Sequence, residues 1–395
     1  MSSRPISADP QDLFADQPDR RRAAFLAAHA YATQRLSARI RGEAAAIRWG
    51  LLAVYCACHG LIFGGPSTGK TTFITTMGNV WGGTSRYLRG TNDAMASDLT
   101  GADLPNVTNE TWWHVAGPLV GVNFLLTDEI NRYSAGALTA LLDAQQESVI
   151  TSTGGYRWEL ATPFVVLGAL NPRDRGTTPL SKANDDRFGL AFRMGPALMA
   201  RDAREMSTTR DATTRSSASR MRLDGGISDA DLAERIRVGA PVNWRDESKA
   251  VGAAGPYTPA MLAQIQRIIV HDIAVDLDLD LAIAQLWRMT CEVGEVEIGL
   301  RAPEVHRAVV QAYAATDPKT PRGWVTDADV RATWRAVYCG RLQDPTYSDV
   351  SAKLERKLFG NDDTGEEGLF RFPKSAANVD QVRYRDPNRD PRDRR

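Results

Sequence analysis

Leu61-Ile62-Phe63-Gly64-Gly65-Pro66-Ser67-Thr68-Gly69-Lys70-Thr71-Thr72 decides the fold of this chain. Its first three residues read as a short buried strand, and the residues after Gly69 open a helix. Between them the sequence fits G-x-x-x-x-G-K-[ST] at every fixed position, in the strand-to-helix context of a phosphate-binding loop. A triphosphate carries several negative charges. Such a loop points successive backbone N–H groups inward, and the helix N-terminus adds its positive end. Gly64 and Gly69 let the backbone approach without a Cβ clash. Lys70 reaches the β- and γ-phosphates, and the Thr71 hydroxyl ligates Mg²⁺. The candidate ligands are therefore ATP and Mg²⁺. The candidate binding residues are Gly64, Gly65, Pro66, Ser67, Thr68, Gly69, Lys70, Thr71 and Thr72.

Two further apolar runs end in polar residues. Val122 to Thr127 is continuous, the mark of a strand covered on both faces in a parallel sheet, and it ends in Asp128-Glu129. Asp128 at the tip of such a strand can hold Mg²⁺, and Glu129 can orient and polarise the attacking water. Phe164 to Leu170 ends in Asn171-Pro172. Asn171 could hydrogen-bond the γ-phosphate or the water, or simply form a turn. Asp185-Asp186-Arg187-Phe188 follows. Arg187 could act as an arginine finger on a neighbouring subunit's nucleotide. On the residues alone a surface ion pair is the preferred reading.

Working outward, residues 1–22 read as a disordered leader, polar and ending in Arg20-Arg21-Arg22. A short helix is expected over 23–41 and another over Glu43 to Cys58, where Ile47, Leu51, Val54 and Cys58 share a face. The segment 84–118 reads as loops with short elements. Trp112-Trp113-His114 either grips a substrate or packs the base of that segment, and packing is preferred. Ala135 to Glu147 is helical, and Val149 to Leu160 reads as a hairpin turning at Gly154-Gly155. Strands alternating with helices predict an α/β core with a parallel sheet over 23–200.

Residues 201–255 form a connector, expected to be partly mobile. Its Ser/Thr/Arg run, Arg201 to Arg222, reads as a solvated face. Residues 256–342 turn all-helical. Thr258 caps a helix that Pro259 starts, a second covers about 278–293, and a third starts at Pro303. A fourth starts at Thr326, with Asp329 placed for a capping box. Residues 343–395 are a C-terminal extension, Pro-rich, charged and expected to be disordered at its end.

The composition fits this plan. The 395 residues are 43% apolar and 24% charged, ample for a core, and suggest two or three domains. Lys+Arg and Asp+Glu are both 48, so the net charge is zero and a basic nucleic-acid coat is disfavoured. Cys56, Cys58, Cys291 and Cys339 exclude a disulfide scaffold. No run approaches the roughly 18 residues of a membrane span, and no secretory h-region opens the chain. A cytoplasmic location is expected.

The motifs in order resemble a MoxR-type AAA+ ATPase, a group related to the magnesium-chelatase ATPase subunit. They are Ile40-Arg41-Gly42-Glu43, Gly64 to Thr71, Ser97 to Gly101, Gly117-Pro118, Asp128-Glu129-Ile130-Asn131-Arg132, Asn171-Pro172 and Asp186-Arg187-Phe188-Gly189. The resemblance covers about 40–195 and, more loosely, 258–342. It implies a P-loop AAA+ core followed by a helical lid. It makes Asn171 sensor 1 and Arg187 the arginine finger. It also implies a homo-oligomeric, hexameric ring with ATP at subunit interfaces, and remodelling of a client protein, in some members one with a von Willebrand factor A domain. The insert 91–116 matches a loop of this clade. The family's sensor-2 arginine falls on Glu304 in Gly299-Leu300-Arg301-Ala302-Pro303-Glu304. Arg301, at a helix start, is the preferred substitute over Arg307.

The function expected is therefore Mg-ATP hydrolysis driving a partner protein's remodelling or assembly. The alternatives are an ATP-driven nucleic-acid motor or loader, disfavoured by the neutral charge, and a slow ATP-gated scaffold.

Overall fold

The structure is a computed structural model. It describes residues 9–40, 42–65, 68–106, 111–151, 157–171, 180, 182–195, 255–342, 350–361 and 366–372. The 201–255 connector, apart from residue 255, the turn at 154–155 and the end of the C-terminal extension lie outside these.

A parallel five-stranded sheet organises the core, in the order β2-β5-β8-β1-β9. Its strands are β1 (His59–Phe63), β2 (Ser85–Arg89), β5 (Phe124–Asp128), β8 (Val165–Leu170) and β9 (Phe188–Arg193). Successive side chains leave opposite faces. Phe124, Leu126, Val165 and Leu167 therefore pack on one side, and Leu125 and Val166 on the other. The first side is covered by α1 (Pro18–Ser37), α2 (Ala44–Tyr55) and α3 (Lys70–Trp81). The second is covered by α4 (Ala96–Thr100) and α5 (Ala135–Glu147). Two antiparallel pairs lie outside the sheet: β3 (Gly101–Asn106) with β4 (Thr111–Ala116), and β6 (Val149–Thr151) with β7 (Arg157–Glu159). A single turn, α6 (Lys182–Asp185), precedes β9.

Three elements differ from the sequence expectation. The 84–118 stretch holds a sheet strand, β2, and the β3–β4 hairpin. Ser-Arg-Tyr-Leu-Arg at the edge of a sheet is only partly buried, so it shows no apolar run. β9 is buried, but its signal is interrupted by Gly189. The supposed leader is structured from residue 9: a 3-10 helix covers Pro10–Phe14, and α1 begins at Pro18, not 23. Arg21 is not a solvated charge. It grips Asp272 with two hydrogen bonds, 2.8 and 2.7 Å, and donates to the carbonyls of Ala15 and Asp16. Ala24, Phe25, Ala28, Ala32 and Leu36 bury the helix face beneath it.

The C-terminal helices are α7 (Pro259–Asp272), α8 (Leu277–Gly294), α9 (Arg301–Ala315), α10 (Asp327–Tyr338) and α11 (Val350–Phe359). Their starts follow the capping chemistry. Thr258 accepts from the Met261 N–H at 3.3 Å, and Thr326 and Asp329 form the capping box. The third helix starts at Arg301, one half-turn before Pro303. After α11, β10 (Gly360–Asn361) pairs with β11 (Glu366–Glu367), and Phe359, Phe370 and Phe372 cluster. No described helix is long and apolar enough to cross a membrane.

Buried neutral histidines hold this frame. The Val166 N–H donates to His59 Nδ1 at 3.1 Å, which fixes the imidazole as a neutral acceptor at the start of β1. His306 lies fully buried between Val330 and Thr333. Burial lowers His29 and His59 to about 4 and His306 to about 3. The unfolded chain protonates these rings near 6.5, so it binds more protons than the fold below that pH. Stability is intact above pH 6.5 and is lost as the pH falls toward 4. Each such histidine adds about 1.4 kcal/mol per pH unit to the slope. Urea unfolding of a His306→Gln variant across pH 6.5 to 4 should show a slope smaller by that amount.

Candidate active site

The carboxyl ends of β1, β8 and β5 converge, and the candidate residues are placed there by strand order alone. Beyond β1, the Gly64 N–H donates to the Leu170 carbonyl at 3.2 Å, tying the loop to the end of β8. A Cβ on Gly64 would sit 2.0 Å from the Met194 carbonyl oxygen, so that position admits only glycine. Gly69 takes φ +91 at the start of α3. The side chain of Ile40 packs against it, and the Glu43 carboxylate accepts from the Gly195 N–H at 3.1 Å. Burial raises Glu43 from its usual value, and that hydrogen bond lowers it in part. Pro66 and Ser67 lie outside the described residues.

Lys70 is only 6% exposed. A buried ammonium must be paired. It donates to the carbonyls of Gly64 and Gly65 at 3.2 and 3.4 Å and faces Asp128 Oδ1 at 3.0 Å. A cavity of about 270 Å³ opens beside it, lined by Thr68, Gly69, Lys70, Thr71, Thr72 and Asp128. A hydroxyl and a carboxylate on one small cavity are hard oxygen donors that suit Mg²⁺. Asn171 ends β8, the strand between β1 and β5, and therefore falls between the loop and Asp128.

Glu129 sits at φ +52, a left-handed position that a non-glycine residue keeps only when its surroundings enforce it. Arg89 holds its carboxylate by two hydrogen bonds, 2.8 and 3.1 Å, and Arg132 adds a contact at 3.4 Å. Gly90 is required beside it, because a Cβ there would lie 2.3 Å from the Glu129 carbonyl oxygen. Tyr87 donates to Asp128 Oδ2 at 3.4 Å; burial, then Asp128, raises its phenol, keeping it a donor. Tyr87 and Arg89 were not singled out in the sequence. They become legible only through β2, whose register sets Arg89 against Asp128.

Arg187 and Arg301 do not join this cluster. Phe188 pairs with His59, so Arg187 lies at the amino end of the sheet, while the phosphate loop lies at its carboxyl end. The five residues of β1 between them span about 16 Å. Arg187 instead faces Asp143 at 3.8 Å and Gln146 at 3.4 Å, on a second cavity of about 770 Å³ that Asp143, Glu147 and Arg157 also line. No lid arginine, and no other residue of α7 to α11, lines the small cavity among the described residues. The reason is where the lid docks. A Cβ on Gly299 would meet Asp186 Oδ2 at 2.0 Å, and one on Gly189 would meet Val305 at 3.0 Å. The start of α9 is thus seated on the amino end of β9, with Arg301 exposed beside it. Arg307 is paired with Asp280 at 3.3 Å.

Residues 59–190 match the ATPase family associated with various cellular activities (AAA). Over 138 residues the chain is 36% identical to Chaperone MoxR1 of Mycobacterium tuberculosis, covering 35% of this chain and 36% of that protein. Residues 59–190 thus carry an AAA ATPase domain, and it is similar to that of a MoxR-type chaperone. The chain is likewise 36% identical over 146 residues to YeaC, an uncharacterised protein of Bacillus subtilis, covering 37% of this chain and 45% of that protein. The chain therefore matches less than half the length of these curated relatives. A crystal structure of a candidate ATPase from Cytophaga hutchinsonii shares the fold, with a TM-score of 0.61 at 19% identity, covering 86% of this chain and 97% of that one. The AAA core, with its parallel sheet and the helical region that follows it, thus agrees with the fold class expected from the sequence.

The loop's glycines make distinct demands. Gly64 is closed by Met194 backbone, while nothing lies within 4 Å of a Cβ on Gly65. Gly64→Ala should lower the thermal midpoint of the nucleotide-free protein, a loss of about 1–3 kcal/mol from overpacking. Gly65→Ala should leave that midpoint unchanged. Differential scanning calorimetry of the two variants distinguishes them.

Proposed function

We propose that this protein hydrolyses ATP with Mg²⁺ in a ring of identical subunits and uses the cycle to remodel a partner protein. The observation that carries the first part is the Lys70–Asp128 pair at 3.0 Å on a cavity shared with Thr71. An entering triphosphate offers Lys70 new anionic partners and leaves Asp128 for the metal. Thr71 and Asp128 would hold Mg²⁺, which when bound neutralises charge on the phosphate oxygens. Backbone N–H groups at the start of α3 supply further positive potential. Glu129 accepts the attacking water's proton, and Asn171 orients that water.

Glu129 is chelated by Arg89 in this structure, so an attacking water competes with a guanidinium for the carboxylate. This supports slow turnover in the resting protein and keeps the ATP-gated scaffold as a second reading. Arg89→Ala should raise the basal rate if the clamp limits it. An unchanged or lower rate assigns Arg89 another task.

Arg187 lies too far from its own loop to serve it, so the nucleotide it completes belongs to the next subunit, and Arg301 lies beside the same segment. That geometry is the basis for a ring, hexameric in keeping with the resemblance. Remodelling of a client is suggested by the likeness to Chaperone MoxR1; a von Willebrand factor A domain as one candidate client comes only from the family resemblance of the motifs. The neutral chain carries no basic coat for a nucleic-acid motor. Four free cysteines fit a reducing cytoplasm.

Lys70→Ala should abolish ATP binding by isothermal titration. Glu129→Gln should bind normally and lose about 100-fold or more in phosphate release, because an amide accepts no proton. Neither Arg187→Ala nor Glu129→Gln rings should turn over. Mixed rings should recover activity, since an Arg187→Ala subunit keeps Glu129 and borrows its neighbour's Arg187. Co-assembled mixtures with no recovery would refute a finger acting between subunits.

A further inference from the structure

The segment that carries Arg187 is gripped from the lid by one buried side chain. Arg341 follows α10 and is 2% exposed, while Asp186 is 25% exposed. Arg341 Nε donates to Asp186 Oδ1 at 3.1 Å, and Nη2 to the Asp186 backbone carbonyl at 3.4 Å. Nη1 donates to the Gly189 carbonyl at 3.1 Å and to that of Val337 in the last turn of α10. One guanidinium therefore fixes the backbone on both sides of Arg187-Phe188 and ties it to α10. Gly299 presses on Asp186 from a second lid segment, and Val305 and Cys58 close on Gly189. The neighbouring turn is fitted just as closely, with a Cβ on Gly340 lying 3.0 Å from that of Ala191.

A planar, five-donor fork holds a carboxylate and carbonyls in one fixed geometry, which the flexible point charge of a lysine does not. Such a group, dehydrated and held by four hydrogen bonds, does not shift without its partners. When the lid moves relative to the sheet, residues 186–189 must move with it, and Arg187 with them. We propose that Arg341 is a positioning residue that sets Arg187 for the neighbouring nucleotide, making the lid's position in one subunit a control on hydrolysis in the next. The Asp186 carboxylate is the joint. The proposal rests on the reading of Arg187 as a finger acting between subunits.

The test uses full-length protein and sorts variants by the partner that rescues them. Arg341→Lys keeps the charge and loses the fork. Gly299→Ala leaves Arg341 intact and pushes on Asp186. In each, ATP affinity should match wild type, while phosphate release falls about tenfold to a hundredfold, the scale expected for a misplaced catalytic group. Mixed with Glu129→Gln subunits, both should recover activity, because the partner supplies a sound finger. Mixed with Arg187→Ala subunits, neither should recover, because both partners are defective on the same side. Rescue by Arg187→Ala would place the defect at the variant's own nucleotide and overturn the proposal. So would wild-type turnover in both variants. A purely structural loss would lower ATP affinity and recover with neither partner. The Arg187→Ala with Glu129→Gln mixture is the control. If it recovers and the Arg341 and Gly299 variants do not sort with Arg187, positioning alone is wrong. If it does not recover, the finger reading is wrong and this proposal falls with it.

Discussion

An ammonium that is almost wholly removed from water cannot stay unpaired, and Lys70 is such a group. Its neutralisation requires Asp128, which in turn requires β5 to end beside the loop that follows β1. Only a parallel sheet with β8 between them delivers that, because every strand then presents its carboxyl end to the same crevice. The Gly64 N–H to Leu170 bond and the glycine beneath Met194 hold the loop against that edge. Lys70 and Asp128 are brought together by strand order, not by proximity in sequence, and Asn171 follows the strand between theirs.

The sheet also separates two tasks. Its carboxyl ends form the small cavity with Thr71 and Asp128, and the amino end of β9 carries Arg187. The lid is docked on the second end, through Arg341, Gly299 and Val305. On the proposed assignment, a chain arranged this way has its binding half and its activating half on opposite ends of the sheet. That arrangement supports a cycle shared between neighbouring copies. Glu129 is held in a left-handed conformation and chelated by Arg89, so the base of the proposed mechanism is engaged by a guanidinium in this structure.

What could be read early, and what could not, follows from how local each signal is. Lys70, Thr71 and Asp128 sit in patterns whose spacing reflects one turn or one strand, so they were visible without any pairing. The caps at Thr258 and Thr326 are local for the same reason. β2 was missed because an edge strand needs only a half-apolar face, and Arg89 was missed with it. The helix expected over 23–41 starts earlier, at Pro18; Arg20-Arg21-Arg22 looks solvated until Asp272, some 250 residues on, supplies the counter-charge. Arg301 was expected over the chain's own phosphates because a helix start can reach an anion. The docking of α9 against Asp186 and Gly189 carries it elsewhere.

The sequence by itself determined the α/β class, the phosphate loop, the strand-end carboxylates and the helical C-terminal region, since each is written in short-range spacing and capping chemistry. The tertiary structure alone decided which carboxylate faces Lys70, which arginine restrains Glu129, and that Arg187 and the lid share the far end of the sheet. Those are outcomes of strand order and of buried charges finding partners across the whole chain, and no local pattern encodes them.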